Sequence, residues 1–341
     1  MPIRDVSVNI ALDKPIGLAG FGKPLIIGQN TDGFAYKEYL TLESLEADFA
    51  KGTDVYKKAQ ALLDQDNRPA RFAVAGYDSA STDATVSKTA AELVAASLYL
   101  DWYFLITTSN TPADIVAVAD AIEASKASGY PKMYSGQVAA AADLATVLAK
   151  GYERTFVGVH PITEALDAAN VGENGNKEVG SITWKGKSLN GITPQVLTAD
   201  ELAAIEDANG YAYLTKAGDN VTSEGKVMSG EYIDVMHGLD WVTANIEQRV
   251  QKVFNNKPKV AYTDGGISQL ESAVLSVLKI GFRQGIIADD ETGAGIYSTS
   301  FRLRSETTPE ERASRKYTGG NFNFELAGAI HEAAISGTVS Q

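Results

Sequence analysis

The chain of 341 residues contains no cysteine. That excludes disulfides, thiolate nucleophiles and zinc sites built on cysteine, and it fits a reducing compartment. Histidine is scarce as well. His160, His237 and His331 are the whole set, and no two of them stand at ligand spacing, so a histidine-based metal site is not expected. No run approaches the roughly 18 uninterrupted apolar residues that a membrane helix needs, and membrane insertion is not expected. The opening MPIRDVSVNIALDKP has no basic region ahead of an apolar core, so no secretory signal is expected. Basic stripes are missing too. ERASRKY (311–317) comes nearest and is mixed in sign, and the formal net charge is −13. Direct binding of nucleic acid is therefore not expected, because it needs cations to neutralise phosphates. The acidity favours solubility at high concentration.

What is present is an alternation of short apolar strands and helical segments. The length allows two domains or one large one. PLIIG (24–28), RFAVAGY, WYFLITTS, KMYSGQV and RTFVGVHP read as strands with few polar residues. LESLEADFA, DVYKKAQALLDQ, TVSKTAAELVAASLYL, PADIVAVADAIEASKA and AADLATVLAK read as the helices between them. Strands without polar alternation, separated by helices, predict an α/β fold with a doubly wound, mainly parallel sheet covered on both faces. The pattern changes near NGNKEVGSITWKGKSLNGITP (174–194), a turn-rich stretch expected to hold one or two short strands. Beyond it come a helix capped by Thr198 and Glu201, the strand AYLTKAG, and two long helices, the second opened by Asp264. This divides the chain into an N-terminal arm and joint (1–22), an α/β domain (23–185), a C-terminal α+β domain (186–318) and a C-terminal arm (319–341).

No catalytic constellation emerges. GLAGFG (17–22) has the wrong glycine spacing and precedes the first strand, whereas a dinucleotide loop follows it. No GxSxG elbow occurs. DDET (289–292) reads as a solvated acidic turn rather than a calcium loop or a catalytic carboxylate pair. His237 and Asp240 can meet near a helix start, which a local hydrogen bond explains equally well. No cofactor and no enzymatic activity are expected.

The two ends carry the most distinctive pattern. Val6, Val8, Ile10 and Leu12 alternate with polar or small residues, and a Gly/Pro-rich joint follows with Gly17, Gly20 and Gly22. At the other end, Phe322, Phe324, Leu326 and Ile330 share one parity, and Ile335 and Val339 lie on the other, after Gly319 and Gly320. Two half-buried strands on glycine joints can close the chain's own sheet or add to a neighbour's. The pattern alone favours closure slightly. An arm that buries three or four apolar side chains gains about 5–10 kcal/mol gross. Association opposes that with about 4–15 kcal/mol, so one exchanged arm binds weakly and a lattice of them binds firmly.

Several segments, in order, resemble the contractile tail sheath proteins of bacteriophages and phage-derived particles. They are FGKPLIIG, SITWKGKSLNGITP, SGEYIDVMHGLDWVTANIEQRV, VAYTDGGISQLESAVLSVL and FNFELAGAIHEAAISGTV. The resemblance is strongest after residue 180, and the stretch 70–165 matches no motif. It implies a structural subunit that polymerises helically around a tail tube and contracts, with both arms donated to other copies. The arm residues would be Val6, Val8, Ile10, Leu12, Phe322, Phe324, Leu326, Ile330, Ile335 and Val339, and the joints Gly17, Gly20, Gly22, Gly319 and Gly320. It further implies a tail tube partner, with Lys279 and Arg283 of a helix at 267–283 as contacts, and baseplate and tail terminator components. The place would be a virion tail or phage-like particle assembled in the bacterial cytoplasm. For this family the chain is short, so large outward-projecting domains are not expected. The rival readings are a doubly wound nucleotide- or sugar-using enzyme and a non-contracting tail component.

Overall fold

A computed structural model describes residues 22–338. Its first half runs β1 (Pro24–Gln29), β2 (Phe34–Tyr39), α1 (Leu42–Glu46), α2 (Asp54–Leu63), β3 (Phe72–Tyr77), α3 (Ala90–Ser97), β4 (Phe104–Thr107), α4 (Pro112–Ala127), β5 (Met133–Val138), α5 (Leu144–Leu148), β6 (Thr155–Val159) and α6 (Leu166–Asn174). There follow α7 (Ala199–Asp207), the hairpin β7 (Tyr213–Lys216) and β8 (Asp219–Thr222), α8 (Ile233–Asn255), α9 (Asp264–Arg283), β9 (Tyr297–Phe301), α10 (Pro309–Ala313) and β10 (Gly320–Phe324).

Six strands form one sheet in the order β2-β3-β1-β4-β5-β6, parallel throughout except where β2 runs against β3. The doubly wound reading holds, and its physical basis is visible in β1. Ile26 points into one core with α1, α2 and α6, while Leu25 and Ile27 point into the other with α3, α4, α5 and α7. Both faces are covered, so the strand needs no polar residues. Threonine starts the helices: Thr53, Thr111, Thr198 and Thr263 each accept a hydrogen bond from the backbone N–H three residues on.

Two expectations change. The stretch 174–194 forms no strand; its Trp184, Leu189 and Ile192 are instead buried in the core that holds α2 and α6. That core also takes in Tyr211, Tyr213, Val227, Ile233 and Met236, so packing carries the first body past residue 186 into the start of α8. A separate apolar cluster begins farther along the same helix. It joins Trp241 and Val242 to Val274, Val277 and Leu278 of α9, and to Ile286 and Ile287. Helix α8, of 23 residues, thus serves different cores with its two halves, and Val179 from the chain after α6 joins the second of them.

Candidate assembly surface

Strand β10 pairs antiparallel with β9 of the same chain, from Gly320 opposite Phe301 to Phe324 opposite Tyr297. Leu326 continues the pairing with a bridge to Ile287, and the Ala327 N–H donates to the Ile286 carbonyl. This corrects the expected extent of the C-terminal arm: Phe322, Phe324 and Leu326 are tied within the subunit. Phe324 and Leu326 pack on the cluster of α8 and α9, which supplies the reason. Gly319 and Gly320, the expected joints, are closely packed in the subunit. A Cβ on Gly320 would come within 2.7 Å of the Phe301 ring, and one on Gly319 within 2.8 Å of the Arg302 guanidinium. Gly22 likewise sits at φ +86 with the Gly175 carbonyl 2.5 Å from where its Cβ would be. Val6, Val8, Ile10, Leu12, Gly17, Gly20 and Val339 lie outside the described residues.

Past Ala327 the described chain has no regular structure, and every residue of 328–338 but one is exposed. Ile330 and Ile335 are 90% and 94% exposed. Isolated exposed apolar residues are common, but two such isoleucines on a segment with no regular structure bury nothing in the subunit itself. The β9–β10 ribbon has no third strand beside it among the described residues. Beside it, an apolar groove of about 400 Å³ runs between α8 and α9, lined by Val250, Phe254, Leu270, Tyr262 and Phe322.

Lys279 and Arg283 stand one turn apart on the exposed stripe of α9 that also carries Ser268 and Ser272. The opposite stripe, Val274, Val277, Leu278 and Gly281, is buried.

Three polar groupings escaped sequence reasoning. Arg154, just before β6, makes a bidentate pair with Asp240 of α8 at 2.6 and 2.8 Å, and the Tyr103 hydroxyl donates to the same carboxylate at 2.7 Å. All three are buried. The pair clamps α8, and with it the second cluster, onto the sheet. Asp240 thus faces Arg154 and Tyr103, while His237 stacks on the Tyr103 ring at 5.1 Å. Lys58 of α2 places its ammonium 2.6 Å from both carboxylate oxygens of Asp167 in α6. The third is the contact of His331 with Tyr232 and Glu224.

Burial pushes the His237 imidazole down to about 4 from its usual value near 6.5. The folded protein keeps the ring neutral where the unfolded chain protonates it. Stability on this account is present above pH 6.5, declines as pH falls towards 4 and changes no further below that. The decline amounts to about 3 kcal/mol. His237→Phe is expected to remove this part of the acid sensitivity, measured as the difference in urea unfolding free energy between pH 7.5 and pH 4.5. An equal decline in the variant would assign the effect elsewhere.

A crevice of about 700 Å³ opens at the carboxyl ends of the strands, where open α/β sheets commonly bind ligands. Most of its charged groups are engaged inside the chain: Lys58 with Asp167, Lys57 with Asp54, and Glu164 with Thr193 and His160. Among the described residues no group of His, Asp and Glu is placed to hold a metal, and no helix is long and apolar enough to cross a membrane.

Residues 233–339 match the family described as E217 tail sheath protein gp31-like, C-terminal domain. The match opens at Ile233, the first residue of α8. Over 99% of both chains, the structure is similar to the helical sheath of the anti-feeding prophage in its contracted state, with a TM-score of 0.70 at 13% identity. The sheath of an extracellular contractile injection system, PVC, in its contracted state gives 0.66 at 8% identity, covering 99% of this chain and 98% of that one. A sheath tail protein from Listeria innocua gives 0.54 at 9% identity, covering 91% and 96%. The fold is that of a contractile tail sheath protein. No curated protein matches the chain by sequence. In this sheath fold the family-matched part holds α8, α9, α10, the β9–β10 ribbon and the exposed terminal segment, and with them most of the second apolar cluster. The parallel sheet stands outside that match.

Proposed function

We propose that the protein is a structural subunit of a contractile sheath. Copies stack helically around a tail tube, and contraction of the lattice drives the tube through a target envelope. The observation that carries this reading is the likeness, across nearly the whole chain, to a subunit of a helical sheath in its contracted state. No cofactor is called for. The extended lattice stores the energy, and tighter contacts between copies release it, as bistable interfaces allow.

In this reading residues 6–12 and the end of the terminal segment, with Ile335 and Val339, are given to other copies, where they lengthen the β9–β10 ribbon by strand addition. The exposed Ile335 supports it, since its burial is available only in an assembly. Baseplate and terminator components close the two ends, and the particle is a virion tail or a phage-like relative of one, put together in the bacterial cytoplasm. The role is structural rather than enzymatic.

Negative-stain microscopy of the purified protein tests the function directly. Helically striated tubes are expected as concentration rises. Unassociated particles at every concentration, with tube protein present, would rule the reading out, and straight tubes that never shorten would favour a non-contracting tail component. The crevice at the sheet is the one observation that favours a nucleotide- or sugar-using enzyme, and a thermal-shift screen against both ligand classes separates that rival.

The exposed stripe of α9 is the proposed face towards the tube. Lys279→Glu combined with Arg283→Glu is expected to weaken co-sedimentation with tube protein by about tenfold or more, because charge reversal at a rim acts on complementarity. Self-assembly and melting are expected to stay unchanged. Unaltered co-sedimentation would place the tube contact on another face.

A further inference from the structure

Residues 328–338 are exposed at every position but one, and that one is His331. Its side chain is 11% exposed, and its ring meets Tyr232 edge-on at 4.5 Å between centroids. Its Nδ1 points towards the Glu224 carboxylate, 4.0 Å from Oε2, and makes no hydrogen bond among the described residues. The receiving groups are themselves held. Glu224 is paired with Lys185 and accepts from the Gly225 N–H, and the Lys226 ammonium lies over the other ring partner, Tyr232, at 5.7 Å. Tyr232 is the residue that caps α8, so the contact joins the terminal segment to the start of the helix shared by both cores.

We propose that Tyr232 and Glu224 form a clasp for His331 that keeps the root of the terminal segment on its own subunit, so that only residues 332–341 pass to a neighbouring copy. This rests on the arm exchange proposed above and fixes where the exchanged part begins. The backbone is already tied at Leu326 and Ala327, and the clasp ties it again at His331. Ile330 then lies in a short span fastened at both ends. Holding back residues 328–331 shortens the reach of the extended arm by about 13 Å. A shorter tether of fixed direction raises the effective concentration of the strand at its acceptor. His331 in this role is a positioning residue, acting through the strand it aims.

Diethyl pyrocarbonate labelling, mapped by mass spectrometry, reads the clasp in the unassembled subunit. His331 is expected to react about tenfold more slowly in the natural protein than in Tyr232→Ala, the scale of one edge-to-face ring contact. Equal rates would overturn the clasp. The second measurement uses the absence of cysteine: His331→Cys with Tyr232→Cys provides two unique thiols for a short bis-maleimide. Bridged subunits are expected to form tubes as well as unbridged ones. If bridging blocks tubes while the unbridged variant assembles, the root must detach and the proposal fails. If neither form assembles, the labelling comparison in the unassembled subunit decides. A chain ending at residue 331 separates the two readings: should it still form tubes, the arm exchange itself is wrong, whatever the clasp does.

Discussion

Replacing Asp240 by alanine is expected to lower the melting temperature by about 10 °C or to prevent folding. The carboxylate answers a buried guanidinium in bidentate geometry and also accepts a hydrogen bond from the Tyr103 hydroxyl. Removing it leaves Arg154 charged, buried and without its acceptor. Breaking one side of such a pair costs about 3–5 kcal/mol, a large share of the roughly 5–15 kcal/mol that holds a folded protein together. The loss does not show that the pair is itself strongly stabilising, because most of it is the charge left behind. Arg154→Met with Asp240→Leu separates these contributions, and the double variant is expected to melt within a few degrees of the natural protein, since apolar replacement of a buried pair is close to neutral. Calorimetry or urea unfolding measures both. A single variant as stable as the parent would mean that water or another side chain reaches Arg154, and that α8 is not clamped to the sheet as described.

The sheet was legible because its strands are buried on both faces, so each appears as a short apolar run between helices. The capping box at Thr198 and Glu201 forms as its spacing predicts. Helix α6 was not legible. All nine of its residues are buried, so it carries no polar stripe to set a period of 3.6. Its Asp167, Asn170, Glu173 and Asn174 imitate a loop, yet Lys58 holds Asp167, Asn67 and Lys177 hold Glu173, and the Asn174 amide donates to Asn170 Oδ1. Strand β2 was missed for the opposite reason. It is an edge strand with polar Lys37 and Glu38, paired to β3 on one side only. At the C-terminus the alternation predicted a strand, which Gly320–Phe324 forms and residues 327–338 do not, and period 2 is the same whether the partner strand belongs to the same chain or to another. What separates Phe324 from Ile335 is the apolar cluster behind it, assembled from residues as far back as Val179. The same holds for Arg154 and Asp240, 86 residues apart. Pairs of this kind leave no local trace in a sequence.

Two truncations with opposite results follow from that distinction, and they differ by only ten residues. A chain that ends at residue 321 loses Phe324 and Leu326 from the cluster of α8 and α9, and the β9–β10 pairing with them. It is expected to melt lower, by an amount set by two large apolar side chains at about 1.5–3 kcal/mol each when fully buried, less here because both are only partly so. A chain that ends at residue 331 keeps every one of those contacts. Ile335 is 94% exposed, so its removal is expected to change subunit stability by no more than about 0.5 kcal/mol, the usual range for surface changes. Assembly responds in the reverse sense. In a lattice each lost arm removes the burial of its isoleucine and valine and several ladder bonds worth about 1 kcal/mol each. A loss near 4–5 kcal/mol at each contact weakens it about a thousandfold, and it recurs at every copy. The chain ending at 331 is therefore expected to stay folded, with an unchanged melting curve, and to form no tubes under the microscope. Melting and tube formation falling together in that variant would mean that residues 332–341 belong to the subunit's own core, and tubes of normal length would mean that no neighbour receives them.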